Sequence, residues 1–451
     1  MSFRALPFSF TLLSGVYNGG IRRIRPSDEY PRLSTTTIAT TTALLTFLYL
    51  TAYSSGLELK IEGRRNLNTR HELLRRGNIT GTSPLSDTAD MSYYTTLKLG
   101  REVFSALVDT GSVMDSIDAG ATSGVTYAIG GAKGPIKTST LEFSRYTVRD
   151  QAFMEVTPDT DNKKGKGVIG LGPTSGSNIY NTLNTSAGFA VLDRIFLQNT
   201  STPNYLTVLL GRTEDPAEVV SGEISIGELL DGYSHVESQP RLEVIKVPVN
   251  DYTAVQHFQV LLDQDGLLGL DGQPVSITTK VDRSSNSKQA TVVIDCGFSL
   301  SQVPRTVADA IYSRFFGAEY LTTAENGEFW IVPCGAEINI TFKFGGNSIH
   351  IHPLGATMDP SILGYTGLVN SKNQPLCIGS FQPISSSASG KTYDMILGMS
   401  FLRNVYAAFN FGDFVAGGND TSNRGDPYLQ FLSTTDPIEG KFRGLSFTDE
   451  F

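Results

Sequence analysis

The chain has 451 residues, enough for two or three domains or one bilobal unit, and its 40% apolar and 18% charged content is that of a globular protein. Its 45 glycines, with abundant Ser and Thr, favour turns and strands over long helices. The net charge of −9 is unevenly spread: residues 1–76 hold 11 Lys+Arg against 5 Asp+Glu (+6) and the remainder 25 against 40 (−15), and an acidic body behind a basic arm makes a poor nucleic-acid binder.

In chain order, residues 1–33 form a polar leader, read as a cytosolic tail or an overlong start. Leu33 to Leu57 carries no charged side chain, and its apolar centre is Ala43 to Tyr53. That centre is short and threonine-rich for a membrane span but suits a signal h-region. Small residues Ala52 and Ser54 are spaced as in a cleavage site. A cleaved secretory signal and a signal-anchor that tethers the chain through residues 34–57 are both open. Residues 58–90 read as a basic propeptide or linker, with six Lys+Arg between Leu59 and Gly77 and the dibasic pair Arg75-Arg76. Five N-x-S/T sequons, at Asn78, Asn184, Asn199, Asn339 and Asn419, all follow the hydrophobic segment, which fits secretory traffic.

From Met91 onward the text reads as strands. "YYTTLKLG", "VFSALVDTG", "YLTVLLG", "SGEISIG" and "INITFKFGG" are short, β-branched and bounded by glycine. The best helix is Pro304 to Ala318, with apolar Val307, Ala310, Ile311 and Phe315 and a proline near its start. Gly165 to Gly170 matches G-x-G-x-x-G, but a dinucleotide site needs a strand before it and a helix after it, and neither pattern is present. The class is all-β with a few short helices.

An internal duplication follows. Asp109-Thr110-Gly111-Ser112 closes one apolar run and is followed by "GVIGLGP", Gly167 to Pro173. Asp295-Cys296-Gly297-Phe298 closes another and is followed by "DMILGMSFL", Asp394 to Leu402. Two lobes of like topology, 91–242 and 243–451, each supplying one aspartate, are the economical interpretation. Three cysteines allow at most one intrachain disulfide, and five histidines with no Cys/His cluster give a zinc site little support.

These motifs, in this order, resemble the pepsin-like aspartic proteases, and more closely those secreted by basidiomycete fungi. The resemblance covers the chain from Met91 to its end. It implies a bilobal pepsin-like double β-barrel with pseudo-two-fold symmetry and an active-site cleft between the lobes. It makes Asp109 and Asp295 the catalytic pair, supported by Thr110, Gly111, Ser112, Cys296 and Gly297. It places a flap at Val125 to Ile136, with Tyr127 and Gly130 over the substrate, and pairs Cys334 with Cys377. The implied activity is an aspartic endopeptidase, made as a zymogen, acting on proteins or peptides at acid pH. The implied organisation is a monomer in the secretory pathway: extracellular, vacuolar or membrane-anchored. No metal or organic cofactor is implied. A catalytically impaired pepsin-fold protein, acting as a binding or cell-surface glycoprotein, is the alternative.

The chemistry supports the pairing. Two facing carboxyls share one proton because both cannot ionise at close range, so one takes a proton from water while the other polarises the carbonyl; this enzyme class is the worked example from which that rule is drawn. Three departures stand out. Only 18 positions separate Asp109 from Tyr127, which shortens the N-terminal lobe, and the single tryptophan, Trp330, lies far from the flap in sequence. Phe298 stands where a hydroxyl is common. Cys296 replaces a structural hydroxyl, and a thiol, as a weaker donor of longer reach, is expected to loosen and slow the site.

Overall fold

The computed structural model describes residues 80–88, 92–111, 122–126, 131–158, 163–198, 202–212, 222–247, 255–281, 288–323, 327–384, 392–415 and 425–435. Strands form where short β-branched runs end at glycine: Ser92–Leu99, Glu102–Asp109, Tyr205–Leu210, Gly222–Ile226 and Ile340–Phe344. Helices are few and short. The helix expected over Pro304 to Ala318 is Arg305–Tyr312, with Pro304 as its N-cap residue and Gly317 at φ 84° beyond its end. Its buried face is Val307, Ala308, Ile311 and Tyr312, while Ala310 and Phe315 are only half-buried. Tyr312 turns inward because its hydroxyl has partners there: it donates to the Ala356 carbonyl at 2.8 Å and accepts from Phe381 N at 2.9 Å. The glycine-rich match at Gly165 to Gly170 is a strand, Lys166–Gly170, followed by the 3-10 turn Thr174–Gly176.

Among the described residues the strands build five sheets. A seven-stranded sheet contains Ser92–Leu99 and Glu102–Asp109, the latter parallel to Lys166–Gly170 with Asp109 opposite Gly170. A five-stranded sheet contains Thr291–Ile294, parallel to Met395–Leu397 with Ile294 opposite Leu397. The two arrangements repeat each other, and each places an aspartate at the end of the first strand. Asp109 O accepts from Leu171 N at 2.7 Å, and Asp295 N donates to Leu397 O at 3.1 Å.

A six-stranded sheet runs Gly81–Pro84, Gly222–Ile226, Tyr205–Leu210, Val405–Asn410, Tyr428–Ser433, Leu242–Glu243. It corrects the expected picture of two barrels, one per half of the chain. The described residues fall within one compact unit, and this sheet draws strands from both halves, joined where Tyr205–Leu210 lies against Val405–Asn410. It also takes in Gly81–Pro84, ahead of the point where strand patterning begins in the sequence. The sheets have six, five, three, four and seven strands, and strands about a hundred positions apart are parallel neighbours.

The main apolar core runs through both halves, from Leu97, Val108 and Ile169 to Phe342, Phe401, Phe409 and Phe431. Aromatic edges fill it: Phe258 meets Phe409 and Phe411 at centroid distances of 5.2 and 5.0 Å. Trp330 belongs to the same core, donating Nε1–H to Asp309 at 2.9 Å and lying edge-on to Tyr320. Cys334 and Cys377 form a disulfide that ties the end of Gly327–Pro333 to Leu376–Gly379, where Val332 stands opposite Cys377. It closes a sequence separation of 43 residues. Replacing both cysteines by serine is expected to lower unfolding stability by about 2–4 kcal/mol, read as a lower denaturant midpoint at unchanged slope.

Candidate active site

Each corner is made by an Asp-x-Gly that turns the chain off the end of a strand. Gly111 and Gly297 are required by proximity, since a methyl at Gly297 would stand 2.5 Å from Asp109 Cγ and one at Gly111 would overlap the Asp295 carboxyl. The bare glycines let the two corners meet. Gly111 N donates to Asp109 Oδ1 at 2.9 Å and to Asp295 Oδ1 at 3.0 Å, so one N–H bridges both acids. Gly297 N donates to Asp295 Oδ1 at 2.7 Å. The two carboxyls also hydrogen-bond each other.

This contact decides the electrostatics. Burial, and then the charge of Asp109, push the Asp295 carboxyl well above the usual carboxylate range, while the Gly297 and Gly111 amides oppose the shift. The pair therefore retains a proton where an isolated acid has lost it.

Thr110 and Cys296 clamp the corners across the pair. Cys296 N donates to Thr110 Oγ1 at 3.0 Å, and Cys296 Sγ donates to the Val108 carbonyl at 3.5 Å. Burial, then Asp295, raise the thiol's pKa well above its usual value, so it stays a protonated donor. The thiol's reach thus carries it to the backbone of the first corner. Phe298 supplies no hydroxyl to Asp295; its ring is buried among Val293, Phe329, Ile331 and Tyr393.

Two further parts of the site had little signal in the sequence. Asp394 accepts from Thr279 Oγ1 at 2.6 Å, Lys280 N at 2.8 Å and Thr291 N at 2.9 Å, pinning the entrance to the second parallel strand pair. Ser301 and Ser400 share a 2.6 Å hydrogen bond, and Ser301 Oγ accepts from Gly398 N at 3.0 Å. Asp394 stood inside a motif already singled out. The serine pair is distant in sequence and ordinary in composition.

Other expectations meet a different outcome. Ser112, Tyr127 and Gly130 lie outside the described residues, as do Asn78, Asn199, Asn419 and the segment 34–57. The open cleft between lobes, with protein substrate in front of the acids, is corrected to an enclosed pair: Asp109 is 0% and Asp295 2% exposed. Among the described residues no helix is long and apolar enough to cross a membrane. Among the same residues no group of His, Cys, Asp or Glu could hold a metal ion. Asn184 and Asn339 are exposed.

Comparison with known proteins adds independent findings. The family profile described as eukaryotic aspartyl protease matches residues 115–417, a span that contains the second corner and begins just after the first. Major aspartyl peptidase 1 of Cryptococcus neoformans is 26% identical over 334 residues, covering 71% of this chain and 62% of that protein. The probable aspartic-type endopeptidase opsB of Aspergillus oryzae is 24% identical over 297 residues, covering 64% of this chain and 53% of that protein. The chain thus spans about half to three-fifths of the length of these curated relatives. Among solved structures, the aspartic proteinase from Irpex lacteus matches with a TM-score of 0.54 at 18% identity, over 79% of this chain and 98% of that one.

The tightness of the corners generates a test. Gly297→Ala is expected to displace Asp109 and lower any turnover at this site by about a hundredfold in kcat, with the far-ultraviolet circular dichroism unchanged.

Proposed function

Because the chain belongs to the eukaryotic aspartyl protease family, we propose that Asp109 and Asp295 act as one acid–base unit that activates water for peptide-bond hydrolysis. The observation that carries this reading is the single Gly111 N–H held between two buried, mutually bonded carboxyls. With one proton between them, the ionised oxygen accepts a proton from water as the water attacks the amide carbon. The protonated partner gives its hydrogen to the carbonyl oxygen, and the amine leaves with a proton as the tetrahedral species collapses. Thr110 and Cys296 hold the corners in register throughout.

The Cys334–Cys377 disulfide and the exposed sequon residues Asn184 and Asn339 support an oxidising, secretory setting for this chemistry. The curated relatives carry peptidase and endopeptidase names, which supports a protein or peptide as substrate. A second reading, in which the pair is kept as a structural element without turnover, is favoured by the near-complete burial of both carboxyls.

Asp295→Asn separates the two. Hydrolysis requires that acid cleavage of a denatured protein by the wild-type chain disappear in the variant; a chain that cleaves nothing in either form supports the structural reading.

The shared proton also sets the pH dependence of stability. The raised Asp295 pKa means that the folded chain binds more protons than the unfolded one. Its contribution is therefore full below the unfolded value of about 3.9 and is lost as pH rises through the higher folded value. The urea midpoint is expected to fall as pH rises from about 4 towards neutrality, and Asp295→Asn is expected to flatten that slope.

A further inference from the structure

The segment 255–258 leads into the strand Gln259–Leu261 and lies against the N-terminal half of the chain. The Gln256 carbonyl is close enough to Gly176 to stand 3.1 Å from a methyl placed there. The Gln256 side chain fixes the segment: its Oε1 accepts from Val247 N at 2.7 Å, and its Nε2 donates to the carbonyls of His257 at 2.7 Å and Ile245 at 3.1 Å. Gln259 Nε2 donates to Thr392 O at 3.2 Å, tying the same strand to the residue before Tyr393.

His257, thus held, is 4% exposed, and its ring faces the backbone of Gly111 on one side and the edge of Tyr393 on another, with centroids 6.2 Å apart at 89°. Neither ring nitrogen reaches full hydrogen-bond geometry, although the Gly111 backbone already lies near enough to favour the protonated ring. A buried imidazole with both nitrogens incompletely bonded costs free energy, and this one stands against the residue whose N–H bridges the two acids. The ionisable groups around it are accounted for. Asp109 lies two residues from Gly111 and is bonded to its N–H. Tyr393 feels the charge of Asp295 and is pushed to about 12, chiefly by burial, so it stays neutral. Asp394 is committed to Thr279, Lys280 and Thr291, and Cys296 remains a thiol. The neighbouring Gln256 and Gln259 are uncharged.

We propose that His257 is a positioning residue for the carboxyl pair, a latch that closes on the Gly111 carbonyl when its ring takes up a proton; this rests on the hydrolytic reading above. A neutral imidazole has one donor and one acceptor, whereas the imidazolium has two donors. A charge-assisted bond to the Gly111 carbonyl fixes the corner, and with it the N–H that holds Asp109 and Asp295 together. Burial lowers the His257 pKa to about 4, opposed by the Gly111 backbone, so the ring is neutral near neutrality and the latch engages only in acid.

The test compares wild type with His257→Phe, which removes the donor, and His257→Gln, which keeps a neutral one. Cleavage of a denatured protein substrate is followed against pH. His257→Phe is expected to lose about tenfold in kcat near pH 4, with KM nearly unchanged and little loss near pH 6, and His257→Gln to recover part of it. Ring-proton resonances of the wild-type full chain provide a readout independent of turnover: His257 is expected to titrate near 4, with the Gly111 amide shift following the same curve. A His257→Phe profile superimposable on wild type, or a His257 ring that titrates near the ordinary value of about 6.5, overturns the latch. If the wild-type chain cleaves nothing, the hydrolytic reading fails, while the two resonance titrations still decide whether the latch exists.

Discussion

Two carboxyl groups held in contact inside a protein cannot both be charged, and the site depends on that constraint. Asp109 and Asp295 are bonded to each other and to the same Gly111 N–H. Apart, each would be an ordinary aspartate at the end of a strand. In contact they are a single proton-sharing unit, with a protonation state that belongs to the pair. The surrounding structure serves to bring the two strand ends together and keep solvent from separating them.

The scaffold does this by repetition. Each aspartate ends a strand that is parallel to a second one, and the backbone beyond the second strand or at its end bonds that aspartate. Parallel pairs buried on both faces are stiff, and their register is set by long apolar runs. The corners then need only small residues and two cross-contacts, from Thr110 and Cys296, to meet at hydrogen-bond range. One of these contacts is made through sulfur, a weaker donor of longer reach than a hydroxyl.

Much of this was legible in the sequence where the signal is local. "LVDTGS" and "VVIDCG" mark strand ends by their apolar runs and glycines, and the strands between Tyr93 and Gly346 are bounded by residues that break extended chain. The sheet that joins the two halves was not recoverable. A six-stranded sheet that pairs Leu206 with Phe409 depends on contacts two hundred positions apart, which no periodicity encodes. The inward turn of Tyr312 was missed for a related reason: its hydroxyl is satisfied by Ala356 and Phe381, both remote in the chain, so a polar tip goes inside. His257 carries no motif at all. Its importance lies only in what surrounds it.

The sheet shared by the two halves bears on timing. Asp295 is anchored through Leu397, and the strand Val405–Asn410 must find Tyr205–Leu210 before that sheet closes. Contacts of such sequence separation form late, after the cost of closing a long loop has been met. A chain emerging from the ribosome carries Asp109 and its corner for more than three hundred residues of further synthesis before the last strand, Tyr428–Ser433, arrives. Any hydrolytic competence is thus acquired at the end of folding, and a partly made or misfolded copy, lacking the second corner's anchor, has no assembled pair with which to cut its neighbours.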